Sequence, residues 1–520
     1  MIDLEQSLDQ LIADLRNEED VVQVQTGGEQ WERDDEQVVE PLTAAHNFEA
    51  PFIKSTSLSR DHELFHDLLA TLDHAHPQKR LEAIRRLGEL RDPQAIEPLL
   101  ALFEDESGEI SLVAARALAT IGSPALKPLL TALADTSSSD MRYCAIEALG
   151  ELRDKRAVIA LLLATRDKDK YIRAQAAEAL GKIGDVRALA PLLALLHDKY
   201  TEARSNAAQA LGLLCDLRAV VPLLLALNDP KERVRVEVIH ALSLLGDRRA
   251  VGFLVALLPD SLGYERVEIV EALGYLGDEQ AVDPLLHRAF HDDEERVCQE
   301  SIMALGRLGI ERTLEPLLHA LPTTSDNILR SCIIKALGQL GMKHVQHISC
   351  LVITLLPWLY ERHYELSHYV RAATAMVLGW LGDHRAVEPL LTRLQDDNFY
   401  VREHVASALA DLGGECAVIP LIRTLADPHP VVRARVAEAL GQLRDGRAIA
   451  PLLSALSDEN SEVRARAAEA LGFLNATQAI PLLTPLLKDD ALARPGKMGT
   501  QRQRVQDIAS IAIQRITMRN

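Results

Sequence analysis

Aromatic side chains are scarce, 4% of the 520 residues, although 48% of the chain is hydrophobic and 25% charged. Small and aliphatic helix formers therefore dominate, and overall disorder is excluded. Cysteine is sparse as well. The six (Cys144, Cys215, Cys298, Cys332, Cys350, Cys416) include no C-x-x-C, so neither a zinc knuckle nor a disulfide framework is indicated. They are expected as small buried hydrophobes. Positive charge is in deficit, 56 Lys and Arg against 76 Asp and Glu, a net of −20. Sequence-independent binding to nucleic acid or to an anionic membrane is thereby disfavoured.

No apolar run reaches the roughly 18 residues that span a bilayer, and the first residues, Met1-Ile2-Asp3-Leu4-Glu5, carry acid where a secretory signal carries base. A cytoplasmic location is expected. G-x-x-x-x-G-K-[ST], a G-x-G-x-x-G following a strand and G-x-S-x-G are all missing. Nucleotide and nucleophile-elbow chemistry have no support, and no cofactor is expected.

What the chain does contain is a period. The phrase A-L-G, or its close variants, ends at Gly88, Ala119, Gly150, Gly181, Gly212, Ser243, Gly274, Gly306, Gly338, Gly379, Ala410, Gly441 and Gly472, mostly in steps of 31. A fixed period repeated thirteen times signals a solenoid, whose units bury their apolar faces against each other rather than in one central core. Each unit holds two helical stretches. Leu189 to Leu196 belongs to the first kind; in the second, Ile172, Ala176, Ala177, Ala179, Leu180 and Ile183 form one stripe.

The punctuation repeats too. Gly184, Gly246, Gly277 and Gly382 suit a left-handed helix end. The acids at Asp92, Asp154, Asp185, Asp216, Asp247, Asp278, Asp383 and Asp445 suit the cap of the next helix. Prolines such as Pro191, Pro222 and Pro389 lie inside the first helix and are expected to kink it. Arginine opens the second helix at Arg142, Arg173, Arg204, Arg235, Arg266, Arg371, Arg402, Arg433 and Arg464, with Asp often six residues earlier. That register predicts a structural ladder of charge-assisted bonds from unit to unit.

These features resemble the HEAT-like repeats of the phycobilisome-lyase type, here as G-D-x-R-A-V-x-P-L-L-x-A-L-x-D followed by V-R-x-x-A-A-x-A-L-G-x-L. The resemblance implies an all-α, right-handed solenoid of about 13 to 14 helical hairpins over residues 61–487. It also brings in the bilin lyases that gave the repeat its name, as an alternative function. Deoxyhypusine hydroxylase resembles the chain in its repeats but requires several His-Glu dipeptides, of which His62-Glu63 is the only one present.

Three regions depart from the period. Residues 1–60 carry 14 acids and four bases, an acidic arm in which Ile2, Leu4, Leu8, Leu11, Ile12 and Leu15 predict an amphipathic helix over 2–16. Between Gly338 and Gly379 the step widens to 41, which reads as an enlarged turn over about 342–370 bearing Trp358 and Tyr364. Residues 488–520 read as a loop and a closing helix.

Candidate chemistry is thin. His62-Glu63-Leu64-Phe65-His66 spells H-E-x-x-H, so His62 and His66 are weak zinc candidates, but nothing else in the chain supplies a catalytic residue. The stronger expectation is a scaffold or adaptor. Second-helix acids, Glu147, Glu178, Glu237, Glu268, Glu271 and Glu300, are expected on an exposed concave face that turns basic at Arg435 and Arg466. A protein partner with a basic segment near the acids and an apolar segment near Tyr275, Trp380 and Tyr400 fits that face.

Overall fold

The computed structural model describes residues 64–74, 76–135, 137–362, 366–493 and 503–518. The expected acidic arm with its helix, and also His62 and Tyr364, lie outside the described residues. The chain divides into two compact units, Met1–Leu257 and Leu258–Asn520.

The first unit contains α1 (64–71), α2 (Pro77–Leu90), α3 (Ile96–Ala101), α4 (Gly108–Ile121), α5 (Leu126–Ala134), α6 (Ser139–Leu152), α7 (Val158–Ala164), α8 (Lys170–Ile183), α9 (Leu189–Leu195), α10 (Thr201–Leu214), α11 (Val220–Ala226), α12 (Glu232–Leu245) and α13 (Ala250–Leu257). The second contains α14 (Gly263–Leu276), α15 (Val282–His291), α16 (Glu295–Leu308), α17 (Leu314–Thr323), α18 (Asn327–Lys343), α19 (Ile348–Leu355), α20 (Ser367–Leu381), α21 (Val387–Arg393), α22 (Phe399–Leu412), α23 (Val418–Thr424), α24 (Pro430–Leu443), α25 (Ile449–Ala455), α26 (Ser461–Phe473), α27 (Ile480–Leu483) and α28 (Val505–Met518). Odd numbers are first helices and even numbers second helices. The architecture is an all-α solenoid, and no single helix among the described residues is long and apolar enough to cross a membrane.

Within each unit the layers meet through alanine and glycine. On α8, Ile172, Ala176, Ala177, Ala179 and Leu180 are buried. Gly150 on α6 approaches Ala179 so closely that a methyl there would lie 2.9 Å from its Cα. The glycine of the A-L-G phrase repeats because two helix backbones touch at that point in most layers; Ala119, Ser243 and Ala410 take its place in three.

Hydrogen bonds account for the remaining periodic residues. Each of the eight capping aspartates accepts the amide two residues ahead, as Asp185 does from Arg187 at 3.0 Å. The same aspartate holds the Arg187 side chain at 2.9 and 2.8 Å, and that guanidinium reaches the Lys155 carbonyl of the preceding repeat at 3.3 Å. Gly184, Gly246, Gly277 and Gly382 are left-handed, φ 68 to 70°.

At the opposite edge Arg173 donates Nε and Nη2 to Asp198 of the next repeat at 2.6 and 2.8 Å, and Nη1 to the Asp167 carbonyl at 3.0 Å. Arg204 to Asp229, Arg371 to Asp396, Arg402 to Asp427, Arg433 to Asp458 and Arg464 to Asp489 make the same fork. Arg142 pairs with Asp167 and Arg266 with Asp292, while Arg235 donates to the Asp229 carbonyl at 2.9 Å.

Several expectations need correction. The prolines do not interrupt a continuous α-helix. Most first helices start as a 3-10 turn, such as Val186–Ala188, and Pro191, Pro222 and Pro389 stand third in the α segment that follows. In that first turn an amide has no intrahelical acceptor to lose. Half the cysteines, Cys215, Cys350 and Cys416, are exposed. Cys215 itself takes the left-handed position after α10, φ 52°, where neighbouring repeats place glycine. The interval 342–370 is mostly helical. α18 runs on to Lys343, α19 follows, and a 3-10 turn over Leu356–Tyr360 absorbs much of the extra length. At the far end α28 is itself a second helix, because Gly472 meets Ala512 as Gly441 meets Ala470.

Candidate partner-binding surface

The ladder and the layer contacts consume one side of each second helix and leave the other uncovered. In the first unit that free side forms a cleft of about 390 Å³ built from α6, α8, α10 and α12. Tyr171 and Tyr200 stand edge to face, centroids 5.4 Å apart, on its rim, with the Lys170 ammonium 4.9 and 4.8 Å from their rings. Tyr143, Gln209, Glu178 and Glu237 line it. Asn206 is fixed by donating to the Ala174 carbonyl at 3.0 Å, and Glu202 is bound by Arg233 at 2.7 and 2.5 Å.

The acids of this face are less free than their spacing suggests. Glu147 is buried and accepts from Gln175 at 2.8 Å and from Lys182 at 3.2 Å. Lys182 also meets Glu151 at 2.9 Å and Glu178 at 2.8 Å. Burial opposes the charge on Lys182, but these carboxylates outweigh it and raise the ammonium pKa. Glu237 has His240 at 3.8 Å.

In the second unit Glu268 is buried, contrary to its expected exposure, and Glu271 on the same helix is partly exposed. The two carboxylates are three residues apart and share a side of α14, but neighbouring helices cover Glu265 through Val270 and leave only the Glu271 end partly open. Tyr275 is exposed, with the Arg307 guanidinium 4.9 Å from its ring; Arg307 in turn holds Glu300. Trp358 is half-buried beneath Arg330 at 4.9 Å. Trp380 is half-buried at the end of α20. Tyr400 lies edge to face with Tyr369 and His404, at 5.9 and 4.4 Å.

The stretch expected to turn basic is neutralised. Arg435 binds Glu403 at 3.1 Å and Glu438 at 2.6 Å, and Arg466, buried, binds Glu462 at 3.2 Å and Glu469 at 2.5 Å. Both arginines line a cleft of about 440 Å³ with Val431, Asn460 and Leu492. Burial lowers the His404 pKa beside it; Glu403 opposes that shift, and Arg435 and Lys335 reinforce it.

Tyr171 and Tyr200, at second-helix starts, escaped the sequence reading. The signal for Tyr171 was there: it stands ten residues before Gly181, as Tyr369 does before Gly379. No group of three or more His, Cys, Asp or Glu among the described residues is arranged to hold a metal, and His66 is exposed.

Six overlapping matches to the family model for HEAT repeats cover residues 66–149, 126–212, 190–265, 253–338, 356–427 and 418–494. The chain belongs to the HEAT repeat family. No curated protein matches its sequence significantly. Among solved structures this HEAT repeat protein is similar to importin beta in a polyethylene glycol condition, at 13% identity and TM-score 0.51, over 90% of this chain and 79% of that one. It is also similar to the karyopherin Kap121p bound to the extreme C-terminus of the protein phosphatase Cdc14p, at 14% identity and TM-score 0.47, over 89% of this chain and 57% of that one. A third, the X-ray structure of YIBA_ECOLI, shares 21% identity at TM-score 0.37, over 50% of this chain and 99% of that one. At such identities the importin beta likeness shows the fold of this HEAT repeat chain and nothing finer.

Proposed function

We propose that this HEAT repeat protein is a non-enzymatic scaffold or adaptor that holds a protein partner on the faces its second helices leave uncovered. The observation that carries this is the cleft of α6 to α12, where a tyrosine pair, fixed amides and two carboxylates converge without any catalytic grouping. Tyrosine gives large contact area for little lost entropy, and Glu178 and Glu237 suit a basic segment. In the second unit the apolar part of a partner would meet Tyr275, Trp380 and Tyr400, with Glu271 beside Tyr275.

We also infer that the repeats are of the phycobilisome-lyase HEAT-like type, on the phrase G-D-x-R-A, and that the protein works in the cytoplasm, where its free thiols stay reduced. The test is quantitative affinity capture from the native host with the full chain, the Glu178→Lys plus Glu237→Lys variant and the Tyr171→Ala plus Tyr200→Ala variant. One partner should fall at least about tenfold in both variants, the effect of losing ~1.4 kcal/mol. Equal recovery with all three chains sinks the proposal.

A further inference from the structure

The opposite side of the first unit carries a second surface, independent of the clefts. Five first helices place charge one residue before the proline position, at Glu97, Lys127, Asp283, Glu315 and Glu388, while Ile419, Ala450 and Ile480 stand there near the end of the chain. Between Val158 and Leu257 four successive first helices lack such a charge. α7, α9, α11 and α13 contain no charged residue at all. Ile159 and Leu163 on α7 are 57% and 70% exposed, Leu225 on α11 43%, and Val186 and Leu217 in the 3-10 turns that lead into α9 and α11 57% and 55%; α9 and α13 expose Ala190, Ala194, Gly252 and Ala256. Exposed large apolar side chains on three successive repeats, with uncharged small residues on the fourth, mark an interaction site.

The edges of this face are basic. Lys155 and Arg248 precede α7 and α13, and Arg166, Lys168, Lys199 and Lys231 follow α7, α9 and α11; all six are exposed. The aspartates beside them are engaged already, Asp154 with Arg156, Asp198 with Arg173 and Asp229 with Arg204. Exposed Asp260 follows α13, so the charge around the apolar helices is positive in excess, six bases against that acid.

We propose that residues 2–16 of this same chain form an amphipathic helix seated across α7, α9, α11 and α13. The segment complements the face in both respects. Ile2, Leu4, Leu8, Leu11, Ile12 and Leu15 make its apolar stripe, and its charged residues are Asp3, Glu5, Asp9 and Asp14 against Arg16 alone.

Reach is sufficient. Forty-seven residues, 17–63, separate the segment from α1, and a random coil of that length has a root-mean-square span of about 38 Å. α7 stands three layers beyond α1, about 30 Å at the usual spacing of packed helices. A tether of that length raises the local concentration of the helix to the order of millimolar. The first layer offers no rival apolar site. At the positions where α8 has Ile172, Gln175 and Ala179, α2 has Lys79, Glu82 and Arg86, all exposed.

Hydrogen exchange of the full chain tests the seat. Amides of residues 2–16 should exchange at least about tenfold slower than a free coil, and Leu163→Asp plus Leu225→Asp should abolish that protection, as should Leu8→Asp plus Leu11→Asp. Both pairs are at solvent-exposed or tethered positions, and unchanged exchange in α8 and α10 verifies the fold. Coil-rate exchange in the unaltered chain, or protection that survives the α7 and α11 substitutions, overturns the proposal. So does light scattering that shows a dimer dispersed by those substitutions, or flotation of the unaltered chain with phosphatidylserine vesicles that they abolish. The first of these assigns the face to a second copy and the other to a membrane.

Discussion

Gly181 on α8 faces Ala210 on α10 so closely that a Cβ on the glycine would lie 2.8 Å from both the Cα and the Cβ of that alanine. The obstacle is backbone, which cannot swing aside as a long side chain does. Gly181→Ala is therefore expected to destabilise the first unit by about 1–3 kcal/mol, as an overpacked core does. Gly108 opens α4 with nothing within 4 Å of the same methyl, so Gly108→Ala is expected to be neutral or mildly stabilising. Urea midpoints of the two variants check the contrast; equal midpoints refute it.

The most secluded rung of the ladder is Arg371 with Asp396, whose side chains are 4% and 0% exposed. Arg371→Met takes the forked cation from the buried carboxylate and leaves it only Arg393 at 3.6 Å, a loss of about 3 kcal/mol. Adding Asp396→Asn should recover part of it, because the uncompensated charge is then gone. Tryptophan fluorescence during denaturation follows this, with Trp380 on the same helix as Arg371.

The capping aspartates set an acid limit. The side-chain bond from Arg187 is the largest cause that lowers Asp185 to about 2, and Arg385 and Arg447 do the same for Asp383 and Asp445. Their unfolded value is about 3.9. A depressed carboxylate contributes stability that is fully present above its unfolded pKa and is lost as pH falls through the folded one. Melting temperature should hold down to about pH 4 and drop between there and about pH 2. Asp185→Asn should flatten that drop; an unaltered profile counts against the assignment.

Thiol chemistry distinguishes buried from exposed repeats. Burial pushes the Cys144 thiol up to about 12, and Cys298 and Cys332 are raised by the same cause. At neutral pH a maleimide should label Cys215, Cys350 and Cys416 at once and the other three only after unfolding. Peptide mapping decides it.

The solenoid was readable from the residues alone, because one 31-residue pattern must satisfy the same contacts layer after layer and so writes each contact many times over. Gly184, Asp185 and Arg173 were legible for that reason. Residues that act once, or whose exposure depends on an adjacent layer, were not. Glu147 and Glu268 have the spacing of exposed acids, yet neighbouring helices cover them, and only the packed structure shows Lys182 or Arg435 cancelling charges that a composition count leaves free. The uncharged outer sides of α7 to α13 are equally invisible as a surface until the fold brings four separate segments side by side, since exposure is a property of neighbours in space rather than in sequence.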